Sequence, residues 1–90
     1  MQSLKDKVVV ITGASSGIGL AMAMEAMGRG AKVAVCGRDI TKLKSAYPGA
    51  DTAAIIFYQA DVSIEKDCAA FVDFVVQTWG KIDILINILY

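Results

Sequence analysis

Short apolar runs alternate along the chain with stretches of mixed, helix-period polarity. Val8–Thr12 is short, continuous and β-branched, which predicts a strand buried on both faces. Ile18 to about Arg29 carries an apolar helical pattern, with Gly28 and Gly30 as stop signals. Lys32–Cys36 predicts a second strand. Asp39 is placed to cap a short, mixed helix running to about Ala46, ended by the turn signal "YPGAD". Ala54–Gln59 predicts a third strand. Ser63 is a good N-cap with Glu65 in the first turn behind it, and the helix it opens continues to Trp79 before Gly80 closes it. Asp83–Asn87 begins a fourth strand. Phe71, Phe74, Val75 and Trp79 fall at helical spacing and predict an apolar, core-facing stripe on the third helix.

Strands separated by helices of this length imply βαβ units, hence a parallel sheet with right-handed crossovers. The near-continuous apolar character of the strands suits a sheet covered on both faces. The fold class is therefore α/β, a doubly wound parallel sheet. Internal repeats, low-complexity stretches and Pro/Gly-rich linkers are absent from the sequence.

Composition narrows the functional classes. Ninety residues make one domain at most. The hydrophobic fraction is 56% and mean hydropathy is +0.53, yet no apolar run approaches the roughly 20 residues of a membrane span. The opening "MQSLKDKVVV" has too short an apolar run for a signal peptide and lacks a small-residue cleavage site. Nine acidic and nine basic residues cancel, which argues against a general nucleic-acid or membrane-surface role. Cys36 and Cys68 lie far apart, without CxxC spacing and with no histidine in the chain, so zinc is not expected. Buried free thiols in a cytoplasmic chain are the expectation. The methionines at 22, 24 and 27 are expected to face or fill the core.

The loop between the first strand and the first helix carries the candidate chemistry. "TGASSGIG" spans Thr12–Gly19. The first amides of a helix lack internal partners, and the helix dipole adds partial positive charge there, so a loop leading into a helix is a ready anion site. Gly13 suits the sharp exit from the strand. Gly17 removes the side chain that would keep a pyrophosphate from the amides, and Gly19 lets the helix pack tightly on the sheet. Ser15 and Ser16 add hydroxyl donors. A tight turn without a ligand would use the same glycines. The GxGxxG spacing common in dinucleotide folds is absent, and the spacing is instead TGxxxGxG.

That spacing resembles the cofactor loop of the short-chain dehydrogenase/reductase family. "DVS" at Asp61–Ser63 resembles the family's adenine-contacting Asp-Val pair, and "GKIDILIN" at Gly80–Asn87 resembles the segment leading into its Asn-Asn-Ala-Gly motif. The motifs occur in order over nearly the whole chain. The resemblance implies a Rossmann-type fold in which residues 1–90 form a single N-terminal dinucleotide-binding domain. It also implies cofactor contacts from Thr12, Gly13, Ser15, Ser16, Gly17, Ile18, Gly19, Asp61, Val62 and Asn87. Asp61 could equally begin an Asx-type turn before Ser63, and Asn87 could simply end a strand. At the end of the second strand, Gly37 stands where NAD-preferring relatives usually carry Asp, and Arg38 follows it in "VCGRD". A guanidinium suits a 2′-phosphate through paired donors, which favours NADP(H) over NAD(H). An ordinary loop arginine is the alternative for Arg38, and Asp39 is better placed as a helix cap than as a phosphate neighbour.

Family chemistry needs a Tyr-x-x-x-Lys pair and an earlier serine. Here Asp51 follows Tyr47 at that spacing, Val62 follows Tyr58, and Tyr90 is the last residue. No catalytic residue is therefore assigned. After "DILIN" the family pattern calls for Asn, Ala and Gly, whereas this chain has Ile88, Leu89 and Tyr90. The expectation is a truncated, spliced or frameshifted product, catalytically incompetent alone. Winding in one direction through the third strand gives order 3-2-1-4, with two helices on one face and the third on the other. The fourth strand is then an exposed edge beside an uncovered apolar face, which predicts self-association or docking. A stand-alone nucleotide-binding or protein-interaction module that docks onto a longer relative is the alternative. An unrelated doubly wound module, such as a signalling receiver domain, would want acidic residues clustered at strand ends, where only Asp61 sits suitably.

Overall fold

A computed structural model describes residues 3–14 and 16–88. Seven elements alternate as the sequence predicts: β1 (Val8–Thr12), α1 (Gly17–Gly28), β2 (Lys32–Gly37), α2 (Ile40–Ser45), β3 (Ile55–Gln59), α3 (Glu65–Trp79) and β4 (Ile84–Ile86). The four strands are parallel, in the order β3-β2-β1-β4. Val9 is paired with Val33 on one side and Ile84 on the other, and Val33 with Ile55, so these four form one row across the sheet.

Strand alternation sends that row to one face. Val9, Ile11, Val33, Val35 and Ile55 pack with Ala23 and Ala26 of α1 and Leu43 of α2. Val8, Val10, Ala34 and Cys36 point the other way and pack with Phe71 and Val75 of α3. Two helices on one face and one on the other is the predicted winding. All five residues of β1 are buried, but β4 leaves Ile84 and Leu85 exposed, so full coverage of every strand does not hold. β4 pairs only with β1 among the described residues, and an edge strand has no neighbour to shield it.

Several local expectations shift. The helix opening at Gly17 has Ser16 at its N-cap, and Arg29 is its C-cap rather than a helical residue. Strand β2 extends one residue further, to Gly37. Ala46 caps α2, β3 begins at Ile55, and Asp83 and Asn87 flank β4. The N-cap of α3 is Ile64, not Ser63, because Ser63 turns its hydroxyl to the Asp61 carboxylate at 2.6 Å. Gly80, at φ +82°, does close α3, and Asp39 does cap α2 by accepting from the Lys42 amide at 3.1 Å.

Of the three helical methionines, only Met27 packs against the core, whereas Met22 and Met24 are exposed. The buried stripe of α1 is Gly19, Ala23 and Ala26. Small residues at this spacing let the helix lie close to the sheet, and the narrow gap has no room for thioether side chains. On α3 the expected stripe forms in part: Phe71 and Val75 are buried and Trp79 packs at its margin, while Phe74 is half-buried with its ring 5.1 Å from that of Tyr58.

Candidate functional site

The singled-out residues gather along one edge of the sheet. Thr12, Arg38, Asp61 and Asn87 lie at or just beyond the C-terminal ends of β1, β2, β3 and β4. Between β1 and β4 the strand order reverses, and in doubly wound sheets the crevice outside that point is the usual ligand position.

At its centre β1 ends in Gly13, at φ +65°, which turns the chain sharply out of the sheet. A Cβ on Gly19 would stand 2.7 Å from the Gly13 carbonyl oxygen and 3.0 Å from the Ala14 Cα. The close approach that demands glycine there is to the loop, not to the sheet as the sequence suggests. Gly17 has φ +62° but open space around its Cβ position, so its requirement is conformational and it leaves the mouth of the loop clear. Ser16 is extended, and its side chain makes no capping hydrogen bond to the helix. Ile18 is 71% exposed at the same mouth. Ser15 lies outside the described residues.

β1 and the edge strand β4 are stitched together at both ends. The Thr12 hydroxyl donates to Asn87 Oδ1 at 2.7 Å and accepts the Ile88 N–H at 3.0 Å. At the other end Asp83 Oδ2 accepts the Val8 N–H at 2.8 Å and pairs with Lys81 Nζ at 2.9 Å. The Val8 amide first, then Lys81, holds the Asp83 carboxyl below the usual carboxylate range. Asn87 thus does more than end a strand. The role of Asp83 is not visible in the sequence, since its backbone partner lies 75 residues away.

A polar recess of about 440 Å³ lies beside this centre, lined by Arg38, Gln59, Ala60, Asp61 and Asp67. Arg38 is exposed, and Gln59 Nε2 donates to its carbonyl at 3.0 Å. The Ser63 amide and hydroxyl both donate to Asp61 Oδ1, the Asx-type turn among the alternatives. The Ser63 hydroxyl, then its amide, and more weakly the Arg38 charge hold the Asp61 carboxyl low. The Asp61 N–H is held by Asp67 Oδ2 at 2.8 Å from the first turn of α3. Val62 is half-buried beside it. A Cβ at Gly37 would meet Leu43 only at ordinary contact distance, 3.9 Å.

Cys36 is buried, and burial pushes its thiol up to about 11. Cys68 is only half-buried, short of the expectation for both thiols, and its Sγ donates to the Val62 carbonyl at 3.4 Å. Among the described residues no group of three or more His, Cys, Asp or Glu could hold a metal, and no helix is long and apolar enough to cross a membrane.

Comparison with known proteins follows this geometry. The family model described as short chain dehydrogenase matches residues 7–88. A Dictyostelium discoideum protein, dehydrogenase/reductase SDR family protein 7-like, is 37% identical over 91 residues, covering 93% of this chain and 29% of its own length. The crystal structure of 3-ketoacyl-(acyl-carrier-protein) reductase from Brucella melitensis, complexed with NADH, superposes with a TM-score of 0.84 at 38% identity. It covers 92% of this chain and 34% of that one. The N-domain of a bacterial malonyl-CoA reductase with NADP superposes with a TM-score of 0.83 at 30% identity, over 94% of this chain and 17% of that one. The chain spans about a third or less of each of these proteins.

Proposed function

The chain belongs to the short chain dehydrogenase family, and from that membership we propose that residues 1–90 form a dinucleotide-binding domain that prefers NADP(H) to NAD(H). The carrying observation is the opening of α1 at Gly17, where among the described residues nothing lies within 4 Å of the Cβ position and Ser16 makes no side-chain cap, near the recess that holds Arg38 and Asp61. The residues fit such a ligand: a helix N-terminus suits the pyrophosphate, and an exposed guanidinium suits a 2′-phosphate.

In this reading Thr12, Gly13, Ser15, Ser16, Gly17, Ile18 and Gly19 line the pyrophosphate side. Asp61 and Val62 meet the adenine, and Asn87 stands by the nicotinamide ribose. The Asx turn engages one oxygen of Asp61, which leaves the other available to an amino group. Support for NADP(H) comes from Gly37 and Arg38. The end of β2 carries glycine rather than an acidic residue, and the Arg38 cation is exposed at the recess. One of the similar structures is a complex with NADH and another holds NADP, so the family likeness alone leaves the choice between them to these two residues.

When bound, the nicotinamide would supply hydride transfer. The role assigned to these ninety residues is cofactor binding. Calorimetric titration tests the cofactor assignment. The wild-type chain should bind NADP⁺ more tightly than NAD⁺. Arg38→Ala should weaken NADP⁺ about tenfold or more, the worth of a charge-assisted phosphate contact, and leave NAD⁺ nearly unchanged. Equal losses for both nucleotides would remove Arg38 as the selector.

A second reading concerns assembly. An apolar groove of about 460 Å³ runs between α1 and β4, lined among others by Val9, Ile18, Met22, Ile84 and Ile86. Met22 and Ile84 in its lining are 37% and 38% exposed. At its rim Arg29 pairs with Glu25 at 2.8 Å, so the face presents no net charge to repel its like. We propose that a second copy of the chain covers it. Sedimentation velocity should show concentration-dependent dimers for the wild type and monomers for Met22→Lys, which puts a charge in the groove lining. A wild type that stays monomeric at its highest soluble concentration would end this reading.

A further inference from the structure

Resting on the dinucleotide reading above, we infer that Tyr47 is the positioning residue of the glycine loop, setting its dinucleotide affinity from outside the site. Tyr47 follows α2, in the "YPGA" turn, and its hydroxyl donates to the Ala14 carbonyl at 2.6 Å across 33 residues of chain. Both partners are enclosed: Tyr47 is 3% exposed and Ala14 fully buried. A buried carbonyl needs a partner inside the protein, and the phenol supplies one.

The ring itself has little freedom. It lies against Phe57, with centroids 5.7 Å apart and planes tilted by 59°, inside the cluster that holds Leu43. Its backbone is held as well, since the Tyr47 amide donates to the Lys44 carbonyl at 3.1 Å. Burial pushes the phenol up to about 12, so the hydroxyl remains a donor throughout neutral and mildly alkaline pH.

The consequence is electrostatic. An anion site built on a loop and a helix N-terminus works when amide donors face the anion and carbonyl oxygens are turned away. Tyr47 draws the Ala14 oxygen into the core, away from the mouth at Gly17. A second tether, from the Gly13 amide to the Cys36 carbonyl at 3.2 Å, fixes the preceding residue. Without the phenolic hydroxyl the Ala14 oxygen is unpaired in the interior, and the loop relaxes toward water, where that oxygen can oppose a phosphate.

Tyr47→Phe keeps the ring and removes the donor. The test titrates the full chain, wild type and variant, with NADP⁺ and separately with 2′-AMP. The second probe carries the adenine and the 2′-phosphate but no pyrophosphate. The variant should bind NADP⁺ about fivefold or more weakly, the worth of one net hydrogen bond, and 2′-AMP as the wild type does. A general loss of structure would weaken both ligands together. If the variant unfolds at the working temperature, both titrations are repeated in trimethylamine N-oxide, which restores the folded population without restoring the hydroxyl. Equal affinities of wild type and variant for NADP⁺, or parallel losses for both ligands, overturn the role of Tyr47 alone. A wild type that binds neither ligand overturns the dinucleotide reading, and this inference with it.

Discussion

Gly19→Ala should cost the fold about 3 kcal/mol, the upper part of the range for overpacking a close contact. The added methyl carbon would stand 2.7 Å from the Gly13 oxygen and 3.0 Å from the Ala14 Cα. Both are backbone atoms of one short loop, and neither can swing aside as the end of a long side chain would. To relieve the clash, α1 must lift from the loop or the loop must leave the end of β1. Lifting α1 exposes the sheet face that Ala23 and Ala26 cover. Gly17→Ala provides the comparison. Its cost is only that of a left-handed backbone, about 1–2 kcal/mol, because nothing lies within 4 Å of the new carbon. Urea titrations followed by circular dichroism measure both variants. The dinucleotide reading adds that Gly17→Ala, though folded, loses NADP⁺ affinity, since its methyl stands in the open mouth. Equal stability of Gly19→Ala and wild type would mean that the close approach of helix and loop is not a feature of the folded protein.

Phe71→Ala should be as damaging, by about 3–5 kcal/mol, through the cavity it leaves. The sheet face built from Val8, Val10, Ala34 and Cys36 is covered by α3 alone among the described helices, and Phe71 and Val75 are its only fully buried side chains. Phe71 also stacks on Tyr58, with centroids 5.7 Å apart. Domains of this size are stable by roughly 5–15 kcal/mol in total, so the loss takes a large share of the margin. The damage should reach the recess as well. Asp67, in the first turn of α3, holds the Asp61 amide, so a loosened α3 frees the segment that lines the recess. Thermal unfolding should show a lowered midpoint and a weakened near-ultraviolet signal around Tyr58. A shift worth less than about 1 kcal/mol would show that α3 is not held by this residue.

Both variants expose where the sequence was informative and where it was silent. Alternation of β-branched runs with helix-period stretches determined the seven elements, and their lengths determined parallel pairing. The winding followed from the right-handed crossover, a rule of chain chirality that needs no coordinates. Gly13, Gly17 and Gly19 were legible as a loop because glycine spacing reports backbone conformation directly. Gly80 and Asp39 were legible as helix ends for the same local reason.

Legibility stopped where two local partners compete for one group, and where a side chain's partner is far away in the chain. Ser63 has the chemistry of an N-cap, but the carboxylate two residues before it competes for its hydroxyl and takes it. Met22 and Met24 are apolar enough for a core, yet the buried face of α1 is Gly19, Ala23 and Ala26, and the turn of the helix leaves the two methionines outside it. The reason glycine is required at position 19 is a contact with Gly13 that only the folded loop creates. Asp83 on Val8, Thr12 on Asn87 and Tyr47 on Ala14 join residues 75, 75 and 33 positions apart. Periodicity and capping are properties of neighbours along the chain, and the sequence by itself determined what depends on them. Which buried polar groups meet one another depends on how strands and helices stack, and only the tertiary structure decided that.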